Sequence, residues 1–259
     1  MPEDQATGLR RLFARAPHHT VAVCGSDSAR VIVRLAEALA GFGHRVLILD
    51  RTVGQVANAL GVHARYDLMH VLDGHKNLAE VLLARGTRGT NVAVLPAARG
   101  LAHLAVTSTD WLGTLRSTVP ALAAEFDVWL LHGLLPGAAP DVPVVLVVAP
   151  TARAITTAYA HIKTLARAQD RHDFAVLVHH ACDAAAARKV FACVAETAAR
   201  FLSAQLELLG SVPRERTGPV GAVVAAAEAP ALPETFAGVA EALLAHLHAA
   251  PGLPALHAA

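Results

Sequence analysis

The chain contains little lysine and has almost no net charge. Lysine occurs at Lys76, Lys163 and Lys189 alone among 259 residues, and 22 basic residues nearly balance 21 acidic ones, which leaves a formal charge of +1. Proteins that bind nucleic acid through its phosphates carry clustered basic side chains, and no long run of one sign occurs here. The composition therefore excludes DNA and RNA as expected partners.

Cysteine and long apolar runs are also scarce. Cys24, Cys182 and Cys193 have no CxxC spacing, and the first five residues are too polar for a secretory signal. We therefore expect a protein of the reducing cytoplasm. The longest apolar run, Val142 to Ala149, is far shorter than the ~20 residues that span a bilayer, and it suits a central strand.

The chain does have a regular alternation of strand patterns and helical patterns. Hydrophobic residues make up 54% of it, enough for the core of one α/β domain. This alternation predicts a mostly parallel, doubly wound sheet covered on both faces. We expect residues 1–17 to form a helical arm and residues 18–259 to form the α/β domain. The predicted strands are Thr20–Cys24, Arg45–Asp50, Val92–Pro96, Phe126–Leu131, Val142–Ala149, Phe174–His179 and Leu206–Val212, and the main predicted helices are Ala29–Gly43, Tyr66–Leu72, Leu78–Ala84, Trp111–Glu125, Thr151–Gln169, Ala184–Leu202 and Thr235–His248.

The turn after the first strand has the position of a phosphate site and lacks its chemistry. In doubly wound folds this turn places backbone N–H groups and a helix N-terminus against phosphate. A phosphate loop needs several glycines, a lysine and a Ser/Thr hydroxyl, whereas the turn Gly25-Ser-Asp-Ser-Ala-Arg30 has one glycine, no lysine and an aspartate. We interpret Ser26, Asp27 and Ser28 as capping residues of the following helix rather than as catalytic groups.

The ends of several strands carry residues that a parallel sheet would bring to one edge. These residues are Gly25, Asp50, His132, Pro150 and His179. The pair His179-His180, with Cys182 close behind, suggests a metal site as an alternative use of this edge. Adjacent side chains on a strand point to opposite faces, so we expect no metal ion to bind there.

Five segments of the chain match the sequence pattern of a known family. They are Asp4-Gln-Ala-Thr-Gly-Leu-Arg10, Asn58-Ala-Leu-Gly61 with Tyr66-Asp-Leu-Met-His-Val-Leu-Asp-Gly74, Val92-Ala-Val-Leu-Pro-Ala-Ala-Arg-Gly100, Pro150-Thr-Ala-Arg-Ala-Ile-Thr-Thr-Ala-Tyr-Ala-His-Ile-Lys163 and Glu207-Leu-Leu-Gly-Ser-Val-Pro213. In these passages the chain resembles the bacterial MinD/ParA family of deviant-Walker ATPases, which have the P-loop NTPase fold, and most closely the flagellar branch FlhG, also called FleN or YlxH. The first passage is the one specific to the flagellar branch.

The resemblance implies a partner for the arm. In the flagellar branch this arm is a short helix that docks on FlhF, a signal-recognition-type GTPase, and its glutamine assists GTP hydrolysis. Gln5 is therefore the candidate residue that orients the attacking water in trans. Asp4 would cap the arm helix, and Leu9 and Leu12 would anchor it. The implied contact residues are Asp4, Gln5, Ala6, Leu9, Arg10, Leu12 and Phe13. An amphipathic arm that folds onto its own domain is the alternative.

The same resemblance implies an ATP site whose chemistry this sequence has lost. The shortened loop has no counterpart of the family's two lysines, and Thr52, two places after Asp50, stands at the switch aspartate. His132 stands at the magnesium-organising aspartate, and His179 at the asparagine that contacts adenine. Phosphoryl transfer needs positioning, charge neutralisation, metal and an oriented water, so we expect a pseudo-ATPase without ATP or magnesium.

The implied function is regulation of flagellar biosynthesis, number and placement through FlhF, with basal-body or transcriptional-regulator proteins as further partners. Two alternatives stay open at this point. One is a MinD-like ATPase that still binds or hydrolyses ATP at an unorthodox site, and the other is a MinD-like scaffold whose arm is vestigial.

The last predicted helix carries one apolar stripe with a 3.6-residue period. The stripe comprises Phe236, Val239, Ala240, Leu243, Leu244 and Leu247. Members of the resembled family often reach the membrane with such a helix, but its polar residues Glu241, His246 and His248 are a poor surface for anionic lipid. We expect packing on the domain, with weak contact at the cell pole or inner membrane as the alternative. Any dimer should not be driven by ATP.

Overall fold

The computed structural model describes residues 19–83, 91–134, 142–213 and 232–249. The predicted arm, residues 1–17, lies outside these ranges, so its helix and its contacts stay predictions. All seven predicted strands lie inside them.

One sheet of seven strands runs through the described part of the chain. Its strands are β1 His19–Gly25, β2 Val46–Asp50, β3 Val92–Pro96, β4 Val128–His132, β5 Val144–Val148, β6 Asp173–Ala181 and β7 Gln205–Pro213. Their order is β3-β2-β4-β1-β5-β6-β7, and each neighbouring pair is parallel. The predicted doubly wound α/β fold is therefore confirmed, and the strand ends differ from the predicted ones by two residues at most.

Ten helices connect and cover these strands within the described ranges. They are α1 Ser28–Gly41, α2 Gln55–Ala59, α3 Leu68–Leu72, α4 Leu78–Val81, α5 Ala98–Thr107, α6 Trp111–Thr118, α7 Pro120–Glu125, α8 Ala152–Gln169, α9 Ala184–Leu202 and α10 Phe236–Ala249. Two of these helices were not predicted, namely α2, which has five residues, and α5, which contains Gly100. The predicted single helix over 111–125 is wrong, since Pro120 lacks an N–H and disfavours helical backbone at Val119, which has φ −124° and ψ 69°.

Each face of the sheet supports its own core, because successive strand side chains point to opposite faces. On one face Val21, Val23 and Ile48 pack with α1, α2 and α10. On the other face Ala22 and Cys24 belong to a core shared with α3 to α9. The central strands are thus apolar on both sides, which is why they appear in the sequence as continuous hydrophobic runs.

The apolar stripe of α10 lies against the domain. Val239, Leu243 and Leu247 are buried in the core that also contains α1. Phe236 and Leu244 are partly buried against the same core, and the guanidinium of Arg34 lies 5.6 Å from the centre of the Phe236 ring. In this conformation the stripe is used for packing within the chain.

Gly25 is the point where β1 and β5 approach too closely for any side chain. Its φ is +121°, and a Cβ built there would lie 2.1 Å from the backbone oxygen of Val147. This distance follows from the pairing of Gly25, the last residue of β1, with Val147 of the adjacent parallel strand β5. The backbone at the start of the turn is therefore fixed by the sheet.

We expect Gly25→Ala to lower the free energy of unfolding by about 3 kcal/mol or more, because it adds a backbone clash to an unfavourable φ. Gly41→Ala is the matched control, since Gly41 ends α1 and nothing lies within 4 Å of its added Cβ. The control should change stability by less than about 1 kcal/mol. Urea unfolding of the full chain measures both, and equal midpoints for the two variants would show that β1 and β5 can separate.

Candidate functional site

The sheet topology brings most of the predicted site residues to one edge. Asp50 and His132 are paired at the ends of neighbouring strands β2 and β4, and Gly25 ends the adjacent β1. His179 lies near the end of β6 and is joined to the same turn through Ser26. Residues 26–28 of that turn face two separate polar groups, one on each side of β1.

The first group is a chain of three buried side chains. The carboxylate Oδ1 of Asp50 lies 3.0 Å from Nδ1 of His132, and Nε2 of His132 lies 3.0 Å from the hydroxyl Oγ of Ser28. Asp50 and His132 are each 1% exposed and Ser28 is 6% exposed. This chain joins the ends of β2 and β4 to the first residue of α1.

Both oxygens of the Asp50 carboxylate are engaged. Oδ1 also accepts from the backbone N–H of Thr52 at 3.0 Å and from its hydroxyl at 2.5 Å, while Oδ2 accepts from the N–H of Val56 at 3.0 Å. Burial by itself would raise the pKa of Asp50, but hydrogen bonds from His132 and Thr52 outweigh it and hold the pKa below its ordinary value. Asp50 is therefore a buried, ionised and well-satisfied carboxylate.

The second group surrounds Ser26. Its hydroxyl donates to the carbonyl of Val147 at 3.3 Å, accepts from the N–H of Ala149 at 3.0 Å, and lies 3.3 Å from Nε2 of His179. Burial, assisted by repulsion from His180, lowers the pKa of His179 to about 4. The His179 ring is therefore neutral at neutral pH, and Ser26 fastens the turn to both β5 and β6.

The capping interpretation of residues 26–28 is wrong. Asp27 does occupy the N-cap position of α1, but its backbone is left-handed with φ 55°, and its side chain makes no capping hydrogen bond. A side-chain cap normally requires an extended N-cap backbone. Ser26 and Ser28 are used on either side of β1 instead, as described above.

The expectation that the side chains of His179 and His180 point to opposite faces is also wrong. The pairing of β6 with β7 shifts register between His179 and Ala181, and His180 has a left-handed φ of 62°. The two imidazole rings consequently lie 4.4 Å apart between centroids instead of pointing to opposite faces. Cys182 is not part of the group of ligand atoms that lie within 4.8 Å of one another, and its thiol instead lies 3.6 Å from the carboxylate of Asp183.

The Asp50–His132–Ser28 chain has the connectivity of a hydrolytic triad, in which a carboxylate orients a histidine that takes the proton of a serine. A nucleophile must also meet its substrate. Ser28 and His132 are buried, and the serine forms the first turn of a packed helix. The arrangement therefore acts as a structural link between the turn and the sheet.

The sequence contains a signal for these contacts that the predictions above did not include. Serine flanks Asp27 on both sides, and a histidine stands at the end of β4 and near the end of β6. Serine and neutral histidine form good donor–acceptor pairs in buried sites. The pattern thus fits one serine–histidine contact on each side of Asp27.

The all-parallel seven-stranded sheet, with polar residues gathered at its carboxyl edge, matches the P-loop NTPase fold of the MinD/ParA type. The structure of a MinC:MinD cell division protein complex from Aquifex aeolicus matches with a TM-score of 0.53 and 21% identity, over 76% of this chain and 82% of that chain. A plasmid partition protein from Borrelia burgdorferi matches with a TM-score of 0.53 and 10% identity, over 89% of this chain and 99% of that one. At these identities the likeness shows the fold alone.

A relative found by sequence comparison identifies the branch of this family. The chain is 30% identical over 224 residues to the antiactivator FleN of Pseudomonas aeruginosa, an alignment that covers 81% of this chain and 78% of that protein. No protein-family model matches the chain. The chain belongs to the flagellar FleN/FlhG branch of the MinD/ParA family. Within the described ranges, none of the helices combines the length and apolarity needed to cross a membrane.

We expect Asp50→Asn to lower the free energy of unfolding by about 2–4 kcal/mol, because the amide cannot satisfy all the buried donors that now face the carboxylate. Asp170→Asn is the matched control. Asp170 has a 98% exposed side chain and a left-handed backbone that asparagine tolerates, so its replacement should cost less than about 0.5 kcal/mol.

The pH dependence of the Asp50→Asn effect distinguishes a lost charge from lost packing. Because the pKa of Asp50 is lowered by folding, its contribution is complete above the ordinary aspartate pKa of about 3.9 and is lost as pH falls through the folded-state value. The stability difference between wild type and variant should therefore shrink in acid. A difference that is constant from neutral pH down to the acid transition would contradict this account.

Proposed function

We propose that this chain is a non-catalytic regulator of flagellar biosynthesis that acts on the FlhF GTPase through its N-terminal arm. The observation that carries the proposal is the 30% identity with the antiactivator FleN over most of both chains. The arm motif from Asp4 to Arg10 adds the partner, since this motif is what the flagellar branch uses to dock on FlhF.

The chemistry of the carboxyl edge supports the absence of catalysis. Magnesium takes oxygen ligands in near-octahedral geometry. The oxygens available here are already used, since the Asp50 carboxylate accepts four hydrogen bonds and the Ser28 hydroxyl contacts His132. The donor set does not fit a magnesium nucleotide, so we assign no step to ATP.

The charge at the turn supports the same proposal. A nucleotide's phosphates are held by backbone N–H groups and neutralised by lysine. The segment from Gly25 to Arg30 has no lysine, and the Asp27 carboxylate is exposed beside the first turn of α1, where it repels an anion. Lys76 is used elsewhere, in an ion pair with Glu80.

Calorimetric titration of the full chain with Mg-ATP tests the loss of the nucleotide site. We expect no saturable binding at millimolar ATP and no phosphate release above that of buffer alone. A dissociation constant above 1 mM corresponds to a binding free energy weaker than about 4 kcal/mol. A lysine-bearing MinD-type ATPase in the same buffer serves as the positive control. A saturable titration, or phosphate release that Asp50→Asn abolishes, would establish an unorthodox active site and end the pseudo-ATPase proposal.

Binding to GTP-loaded FlhF and the GTPase rate test the arm. We expect Gln5→Ala to reduce stimulation of GTP hydrolysis strongly while binding persists, because a glutamine orients the attacking water. Leu9→Ala should weaken binding by roughly tenfold, as expected when an apolar anchor worth about 1.4 kcal/mol is removed. Thr7→Ala, at a position the motif leaves free, is the matched control. If all three variants bind and stimulate like wild type, the arm is vestigial.

A further inference from the structure

The turn after β1 and the end of β6 bring three metal-ligating side chains together. Asp27, His179 and His180 each offer one ligand atom within 4.8 Å of the others, and they form the one such group found in the part of the chain that the structure describes. We propose that this cluster is a binding site for a zinc-type divalent cation. The nucleotide site of the family does not predict this cluster, and the functional proposal above does not depend on it.

The donor set selects the class of cation. Two imidazole nitrogens and one carboxylate oxygen suit zinc and its first-row neighbours, whereas magnesium and calcium prefer oxygen ligands throughout. Three protein ligands also leave a position open on a tetrahedral ion for water or for a partner's side chain. The geometry therefore points to an open zinc-type centre.

The backbone at the cluster is arranged to present these side chains. Four non-glycine residues in the described ranges have a left-handed backbone, namely Asp27, Asp170, His180 and Ser203. Asp170 and Ser203 end α8 and α9, a position where this conformation is common. Asp27 and His180 do not end helices: Asp27 precedes α1, and His180 lies at the register shift of β6 against β7. Both residues belong to the cluster, and the shift at His180 is what brings its ring beside that of His179.

The surroundings divide the three ligands into one fixed and two accessible groups. His179 is 3% exposed, and the hydroxyl of Ser26 lies 3.3 Å from its Nε2, a contact of the kind that orients a metal-bound imidazole. Asp27 and His180 are exposed, and the Asp27 carboxylate makes no capping hydrogen bond to α1. A cation can therefore enter from solvent and bind beside the imidazole of His179, whose orientation is fixed by Ser26.

The position gives such a cation a structural effect. Asp27 belongs to the turn between β1 and α1, while the two histidines belong to β6, two strands away. An ion bound by these three residues would link the β1–α1 turn to β6.

Zinc titration of the full, EDTA-treated chain tests the proposal, with zinc chloride as the probe. We expect one high-affinity zinc per chain and a higher thermal midpoint with zinc, since a ligand that binds the folded state stabilises it. His180→Ala and Asp27→Asn change exposed groups, so both variants should fold. Loss of a residue that only contacts a metal ligand typically lowers metal affinity by roughly 10- to 100-fold. Because each variant removes a proposed ligand itself, we expect each to lower zinc affinity by at least this factor.

The exposed His103 on α5 provides the control variant His103→Ala, which should bind zinc like wild type. Cobalt substitution adds a readout of the ligands, because a tetrahedral nitrogen-and-oxygen site gives visible absorption that His180→Ala should remove. Absence of tight zinc binding would overturn the proposal, and so would tight binding that His180→Ala and Asp27→Asn leave unchanged. The second result would place the zinc at other histidines of the chain.

Discussion

The buried Asp50 carboxylate organises the carboxyl edge of the sheet. It ends β2, contacts His132 of β4, and accepts from the backbone N–H of Val56 in α2. Through His132 it reaches Ser28 at the start of α1. A charge at 1% exposure is tolerated in a protein only when its lone pairs are filled, so two strands and two helices are held in place by the requirement to fill them.

His132 connects the Asp50 carboxylate to the Ser28 hydroxyl at this edge. In the family that the chain belongs to, the resemblance places a magnesium-organising carboxylate at this position. Two carboxylates 3 Å apart cannot both ionise without a cation or a shared proton. An imidazole between a carboxylate and a hydroxyl satisfies both of them within the protein. Under the proposed function, His132 occupies this position and no magnesium ion is required there.

The turn from Gly25 to Ser28 has two sides with different properties. Ser28 joins a closed, buried chain on the side of β4, whereas Ser26 joins β5 and β6 on the other side. Asp27 lies between them at the surface. A turn that elsewhere in this class of folds wraps phosphate is here fastened by side-chain hydrogen bonds, and its one free carboxylate faces the histidines of β6.

The amino-acid sequence by itself determined the alternation of strands and helices, because strands buried on both faces must be continuous apolar runs. It also determined that the first turn lacks a lysine, and it predicted every strand of the sheet. The tertiary structure alone decided which side chains meet. Ser28 and His132 are 104 residues apart, and only the placement of β4 beside β1 brings them together. The rule that neighbours on a strand face opposite ways failed at His179 and His180, because the register shift against β7 and one left-handed residue override local geometry.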